Sequence, residues 1–115
     1  PDFCAGNDLG DFMQAGAAAL DAGGPILRFL HALAGSTVVL AAAVQGRAVG
    51  VGATLLLHCD LVAAEPGASL SLPFVNLGLT PEAGSSLLLP ALVGPRVAAE
   101  MVLLGEPVGA ERALQ

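Results

Sequence analysis

The sequence contains no lysine, no tryptophan and no tyrosine. Four arginines stand against ten acidic residues, which gives a formal net charge of −6 and leaves no basic stripe to neutralise a phosphate backbone. Aromatic residues make up 3% of the chain, so the sequence lacks the platforms on which single-stranded bases stack. We therefore expect no nucleic-acid partner.

Cysteine and histidine are scarce as well. Cys4 and Cys59 are too few for a disulfide scaffold, and we expect two reduced, buried thiols in a cytosolic protein. Together with His31 and His58 they do not form the paired spacing of a zinc site. We therefore expect no bound metal.

One long apolar stretch, residues 37–57, could be mistaken for a membrane segment. It contains Gln45 and Arg47, and an arginine near the middle of a bilayer is costly. We interpret the stretch as two buried elements joined by a turn, and we expect no membrane partner.

The chain opens at Pro1 without a basic leader, so we expect no signal peptide and interpret the chain as the middle of a longer protein.

The order of apolar runs and turn residues predicts an α/β fold with parallel strands. Apolar runs without alternation are typical of strands that are covered on both faces. Glycines, prolines and a cap signal at Thr80 mark the turns and helix starts. The predicted elements are short helices between Leu9 and Leu33 that break at 23–25, buried strands at 38–44 and 61–64, a glycine-rich turn at 46–52, a helix at 53–59, a short strand at 69–72, and helices beginning at Thr80–Glu82, Pro95 and Ala110.

Three segments carry residues that could perform chemistry, and each has a simpler structural explanation. The glycine-rich turn would expose backbone N–H groups to an anion, although tight packing is the favoured explanation when the turn is taken alone. Glu82 follows a helix-start signal, where acids are common, but its apolar surroundings suit a proton shuttle. Asp8, in the segment 3–9, could simply cap the next helix.

Taken in order, these segments resemble the crotonase (enoyl-CoA hydratase/isomerase) superfamily. The resemblance is carried by Phe3-Cys4-Ala5-Gly6-Asn7-Asp8-Leu9, by Gln45-Gly46-Arg47-Ala48-Val49-Gly50-Val51-Gly52, by the run from Leu72 to Gly84, and by the stretch 99–111. It implies a crotonase-like ββα spiral, of which residues 1–115 would be the central part of one domain. It also implies an acyl-CoA thioester as ligand, and a homotrimer or a dimer of trimers for the full-length protein.

The resemblance assigns roles to particular residues. Glu82 would be the catalytic acid/base, and the backbone N–H groups of Asn7 and Val51 would form an oxyanion hole for the thioester oxygen. No cofactor is implied beyond the CoA of the substrate. Phe12, Phe74 and Leu77 are candidates for the wall of the acyl pocket. The expected substrate and CoA contacts are Cys4, Ala5, Gly6, Asp8, Leu9, Gly50, Phe74 and Leu77.

The residues at two positions indicate which reaction of the superfamily to expect. Hydratases of this superfamily use two glutamates to activate water, and the corresponding positions here are Thr54 and Phe74. The sequence is closest to the peroxisomal-type Δ3,Δ2-enoyl-CoA isomerases and their bacterial relatives, in which one glutamate moves the proton. The alternatives are a hydratase, other thioester chemistry, or a non-catalytic binding or scaffold protein. We expect a bacterial cytoplasmic location, or a peroxisomal or mitochondrial one in a eukaryote.

Overall fold

The computed structural model describes residues 1–15 and 23–114. This part of the chain contains six α-helices, five β-strands and two 3-10 segments, at Leu55–His58 and Val75–Leu77. The helices are α1 (Leu9–Ala15), α2 (Pro25–Ala34), α3 (Val51–Thr54), α4 (Ser85–Val93), α5 (Pro95–Leu104) and α6 (Ala110–Ala113). The strands are β1 (Ala41–Val44), β2 (Arg47–Val49), β3 (Leu61–Ala64), β4 (Ser69–Ser71) and β5 (Val108–Gly109).

The strands form two small sheets. In the first, β1 pairs in parallel with β3, so that Ala41 lies opposite Leu61. In the second, the order is β2-β4-β5, with β2 and β4 parallel and β4 and β5 antiparallel. Two residues separate β1 from β2, so the chain passes almost directly from one sheet into the other. The predicted α/β architecture with parallel pairs is confirmed.

The expected burial of the first sheet is wrong. All four residues of β3 are exposed, and Val44 is the one buried residue of β1. An apolar run without alternation requires cover on both faces, but the first sheet has two strands and, within the described residues, β3 is exposed on both of its faces.

Several elements also differ from the prediction. The strand β1 begins at Ala41 rather than at residue 38, and the helix expected at 53–59 is the short helix α3 followed by the 3-10 segment Leu55–His58. The strand β2 lies inside the segment that we expected to be a glycine-rich turn, because the turn residues Gly46 and Gly50 flank three residues that pair with β4. The helix expected at Thr80 begins instead at Ser85. The left-handed conformation of Ala83, with φ of 55°, and of Gly84, with φ of 65°, interrupts the helix signal that precedes them.

The core lies between the second sheet and the helices α3, α4 and α5. It is built from small and medium-sized side chains, consistent with the low aromatic content of the chain. Its members are Val44, Ala48, Ala53, Leu56, Ala68, Leu72, Phe74, Leu89 and Ala98. None of the described helices is long and apolar enough to cross a lipid bilayer.

Candidate active site

A cavity of about 260 Å³ lies where four parts of the chain meet. These parts are the loop before α1, the helix α2, the turn between β2 and α3, and the segment 73–82. Most of the lining atoms are apolar carbon. The lining residues are Ala5, Gly6, Asn7, Leu9, Ile26, Leu27, Leu30, Val49, Gly50, Val51, Pro73, Phe74, Leu77, Leu79, Thr80 and Glu82.

Hydrogen bonds to β2 hold the first loop beside this cavity. The amide of Cys4 donates to the carbonyl of Arg47 at 3.1 Å, and the amide of Val49 donates to the carbonyl of Cys4 at 2.9 Å. Cys4 therefore pairs with β2 like a short extra strand. Beyond it, Gly6 turns the chain with φ of 94°, and this turn brings Asn7 to the cavity wall.

The turn between β2 and α3 depends on two glycines. Gly50 has φ of 56° and ψ of −118°, a conformation open to glycine and strained for other residues. A Cβ atom on Gly52 would lie 2.6 Å from the carbonyl oxygen of Cys4, so glycine there permits the close approach of the first loop. The amide of Gly50 donates to the carbonyl of Ser71 at 3.0 Å. The amide of Val51, which follows, has no hydrogen-bond acceptor among residues 1–15 and 23–114.

The two carboxylate oxygens of Glu82 differ in their hydrogen bonding. Its Oε1 accepts a hydrogen bond from the hydroxyl of Thr54 at 2.5 Å, and Thr54 is fully buried. Its Oε2 is buried and has no hydrogen-bond partner among the residues that the structure describes. A buried carboxylate oxygen without a partner is costly, and such groups are concentrated where a ligand or a reaction uses them.

Three hydrogen bonds hold the backbone that carries Glu82. The hydroxyl of Ser85 donates to the carbonyl of Glu82 at 2.6 Å, and the amide of Ser85 donates to the same carbonyl at 3.0 Å. The Nε2 atom of His58 lies 2.7 Å from the carbonyl oxygen of Ala83. Because a carbonyl oxygen only accepts, the imidazole must donate this bond. Hydrogen bonds to the carbonyl of Glu82, before Ala83, and to the carbonyl of Ala83 itself thus hold the backbone at this unusual φ.

The structure brings nine of the residues predicted from the sequence to this one cavity. Cys4 and Asp8 do not line it, and their predicted contacts with a ligand remain predictions. The carboxylate of Asp8 accepts a hydrogen bond from the amide of Gly10 at 2.8 Å, so its predicted capping of α1 is confirmed. The side chain of Phe12 lies outside the described part of the chain. The nine residues are Ala5, Gly6, Asn7, Leu9, Gly50, Val51, Phe74, Leu77 and Glu82.

Sequence reasoning missed two groups of residues. The helix α2 supplies Ile26, Leu27 and Leu30 to the cavity, and their spacing of three and four residues was a signal for one apolar helical face. The contacts of Thr54 and His58 with the segment 82–83 join residues that lie 28 and 25 positions apart. No local pattern in the sequence signals such long-range contacts.

Charged groups contribute little to the cavity wall. Among the described residues, Glu82 is the one lining residue with an ionisable side chain, and no arginine lines the cavity. Within the described residues, histidine, cysteine, aspartate and glutamate side chains form no group of three that could hold a metal ion. The site can therefore offer one carboxylate, backbone amides and an apolar wall.

Comparisons with known proteins identify the family of the chain. The family model for enoyl-CoA hydratase/isomerase matches residues 2–115. The chain is 40% identical over 116 residues to the "Probable enoyl-CoA hydratase" of Rhodobacter capsulatus, covering 96% of this chain and 44% of that protein. It is 38% identical over 115 residues to rat "Enoyl-CoA delta isomerase 2", covering 96% of this chain and 29% of that protein.

The fold is also found among solved structures. A Magnetospirillum magneticum protein named as an enoyl-CoA hydratase/carnithine racemase superimposes with a TM-score of 0.90 at 54% identity, over 97% of this chain and 43% of that one. The chain thus spans less than half the length of each of these three relatives. The match over nearly all of its own length places the chain in the enoyl-CoA hydratase/isomerase family, with the crotonase fold.

Proposed function

We propose that this chain carries the proton-transfer site of a Δ3,Δ2-enoyl-CoA isomerase. The observation that carries the proposal is the buried Oε2 atom of Glu82, which has no partner and belongs to a residue lining the cavity. Asn7 and Val51 line the same cavity, and we propose that their backbone N–H groups are the donors. A base and backbone donors around one apolar cavity are what enolate chemistry on a thioester requires.

In the proposed reaction, Glu82 Oε2 takes a proton from C2 of a 3-enoyl thioester. The electron pair of the C–H bond moves into the conjugated system and places negative charge on the thioester oxygen, giving a dienolate. The N–H groups of Asn7 and Val51 stabilise this charge, and each such donor is worth on the order of 3 kcal/mol in the transition state. Glu82 then returns the proton to C4, which leaves the double bond between C2 and C3.

One carboxylate suffices for this reaction but not for the usual hydration of the family. Thr54 and Phe74 stand where hydratases carry their two glutamates, and the hydroxyl of Thr54 is already bonded to Glu82. In the described part of the chain, no second ionisable side chain lines the cavity to activate water. These features favour isomerisation over hydration, although proteins of both names are among the relatives.

The apolar wall favours a fatty acyl chain as the part of the substrate inside the cavity. Phe74 and Leu77 line it, together with Leu27 and Leu30 of α2. Because the reaction moves one proton within one substrate, we propose that no cofactor takes part beyond the CoA of the thioester. Fatty acyl-CoA thioesters are therefore the proposed substrate class.

The test is to supply the intact protein with a 3-enoyl-CoA and to follow the absorbance of the conjugated thioester product. We expect turnover with this substrate and little loss of absorbance when a 2-enoyl-CoA is supplied in water. Glu82→Gln should lower kcat by about 100-fold or more, the usual scale for loss of a general acid/base. Glu106→Gln, at an exposed site outside the cavity, is the control and should retain the parent rate.

Two results would contradict the proposal. Rapid hydration of the 2-enoyl-CoA would assign the site to a hydratase. Retention of isomerisation within a few-fold by Glu82→Gln would remove Glu82 from the mechanism.

A further inference from the structure

A single short segment, Val51–His58, contacts both halves of the candidate site. Its first residue, Val51, presents the amide that the proposed function uses for the thioester oxygen. Thr54 and His58, further along the segment, bond to the residues that carry the base. The two functional groups are therefore linked through eight consecutive residues rather than through distant parts of the fold.

Thr54 decides which oxygen of Glu82 is left for chemistry. Its Oγ1 atom lies 2.5 Å from Glu82 Oε1 and 3.5 Å from the carbonyl oxygen of Val51. A hydroxyl has one hydrogen to donate, and the nearer acceptor is a carboxylate, which forms the stronger bond. The donated bond engages Oε1 and leaves Oε2 as the oxygen without a partner.

His58 acts on the backbone next to the base. Its imidazole donates to the carbonyl of Ala83, at a residue whose φ of 55° is unfavourable for alanine. A strained conformation persists where surrounding contacts hold it, and this hydrogen bond is such a contact. Relaxation of Ala83 to an ordinary conformation would turn the chain at Glu82 and move its carboxylate.

We propose that Thr54 and His58 are positioning residues, which together fix the free carboxylate oxygen of Glu82 relative to the amide of Val51. The inference rests on the proposed function for its effect on rate. Neither side chain lines the cavity, so neither is placed to contact the acyl chain. Their loss should therefore lower kcat and leave KM nearly unchanged.

The first experiment compares two substitutions of Thr54 in the intact protein. Thr54→Val keeps the shape of the side chain and removes the hydroxyl, whereas Thr54→Ser keeps the hydroxyl and removes a methyl group. We expect Thr54→Val to lower kcat by roughly 10- to 100-fold, the effect of misplacing a reacting group by about 1 Å, with KM within about threefold. Thr54→Ser should restore most of kcat. Equal losses in both variants, or parental kcat in Thr54→Val, would overturn the proposal.

A second pair of substitutions keeps the test decisive if Thr54→Val does not fold. His58→Gln retains an N–H donor near the position of Nε2, and His58→Leu removes it. We expect the leucine variant to lose kcat and the glutamine variant to keep most of it. If the two variants behave alike, the hydrogen bond to Ala83 does not position the base.

A crystal structure separates failure of this inference from failure of the proposed function. Should the parent not isomerise 3-enoyl-CoA, the proposed function is wrong, but the contact can still be tested directly. We expect the Thr54–Glu82 bond in the parent and a reoriented Glu82 carboxylate in Thr54→Val. A parent structure without that bond, or an unmoved carboxylate in the variant, would overturn the inference whatever the activity.

Discussion

An aspartate near the start of the chain shows how strongly one partner can lower the pKa of a carboxyl group. Asp2 accepts hydrogen bonds from the backbone amide and from the guanidinium of Arg47, at 3.1, 3.0 and 2.7 Å. The side-chain hydrogen bond from Arg47 is the main cause that lowers the pKa of Asp2 from 3.8 to about 2. The contact ties the first residues to the start of β2, and so helps to hold the loop that leads to Asn7.

This contact predicts a measurable titration. The carboxyl of Asp2, followed by NMR, should titrate near pH 2, and in Arg47→Gln its midpoint should move back toward 3.8. Because the pKa is lowered in the folded chain, the contact favours folding above pH 3.8, and this contribution disappears as the pH falls toward 2. Arg112→Gln, which breaks the separate ion pair with Glu100, should leave Asp2 unchanged. A midpoint near 3.8 in the parent would contradict the assignment.

Individual site residues differ in how far the sequence could predict them. Asn7 and Val51 belong to local motifs, and the structure places both, with Glu82, on one cavity. The bonds of Thr54 and His58 were not predictable, because each depends on how two distant segments pack. A threonine at the position of a family glutamate indicated what the site lacks, but not that its hydroxyl would hold the remaining carboxylate.

Among the elements, the short helix α3 depends most directly on one residue. Its N-cap, Gly50, has φ of 56°, and a Cβ atom there would meet no atom within 4 Å. A substitution at Gly50 is therefore penalised by backbone strain rather than by a steric clash. Since Val51 follows directly, relaxation of that strain would also rotate the amide assigned to the thioester oxygen.

We predict that Gly50→Ala lowers the free energy of unfolding by about 1–3 kcal/mol, the usual cost of a strained backbone position. It should also lower isomerase kcat, because the amide of Val51 is displaced. Gly67→Ala is the matched control, since Gly67 is exposed, has no atom near its Cβ position and does not have a positive φ. That variant should change stability by no more than about 0.5 kcal/mol in urea denaturation. Equal stability of the two variants would show that the turn tolerates a side chain.

Elements with strong local signals were predicted well, and elements decided by tertiary contacts were not. The helix α5 begins at Pro95 and the strand β3 covers 61–64, as proline and the apolar run indicated. The strand β2 was missed because its three residues are recognisable mainly through their pairing with β4. The start of α4 was misplaced because Ala83 and Gly84 have positive φ, and the carbonyl of Ala83 bonds to His58, a contact with a distant segment that the sequence does not signal.

At the scale of the whole molecule, the described part of the chain has two apolar surfaces that no other described segment covers. The first is formed by the strand β3 in the sheet β1–β3, where Leu61 is 66% exposed. The second is a groove of about 570 Å³, whose lining includes Val97 and Met101 of α5, with Leu92 67% exposed at its edge. Exposed apolar surfaces of this kind usually mark contacts with other protein segments or promote association.

We therefore predict that residues 1–115, expressed by themselves, associate in solution. Sedimentation velocity should show a mean size that grows with protein concentration and does not fall at high salt, because burial of apolar surface drives the contact and the net charge of −6 opposes it. Replacing Leu61, which is 66% exposed on β3, and Leu92, which is 67% exposed in the groove, with glutamine should reduce the size, whereas Ser86→Gln at an exposed polar site should not. A parent chain that stays monomeric and melts cooperatively at every concentration would show that these faces need no cover.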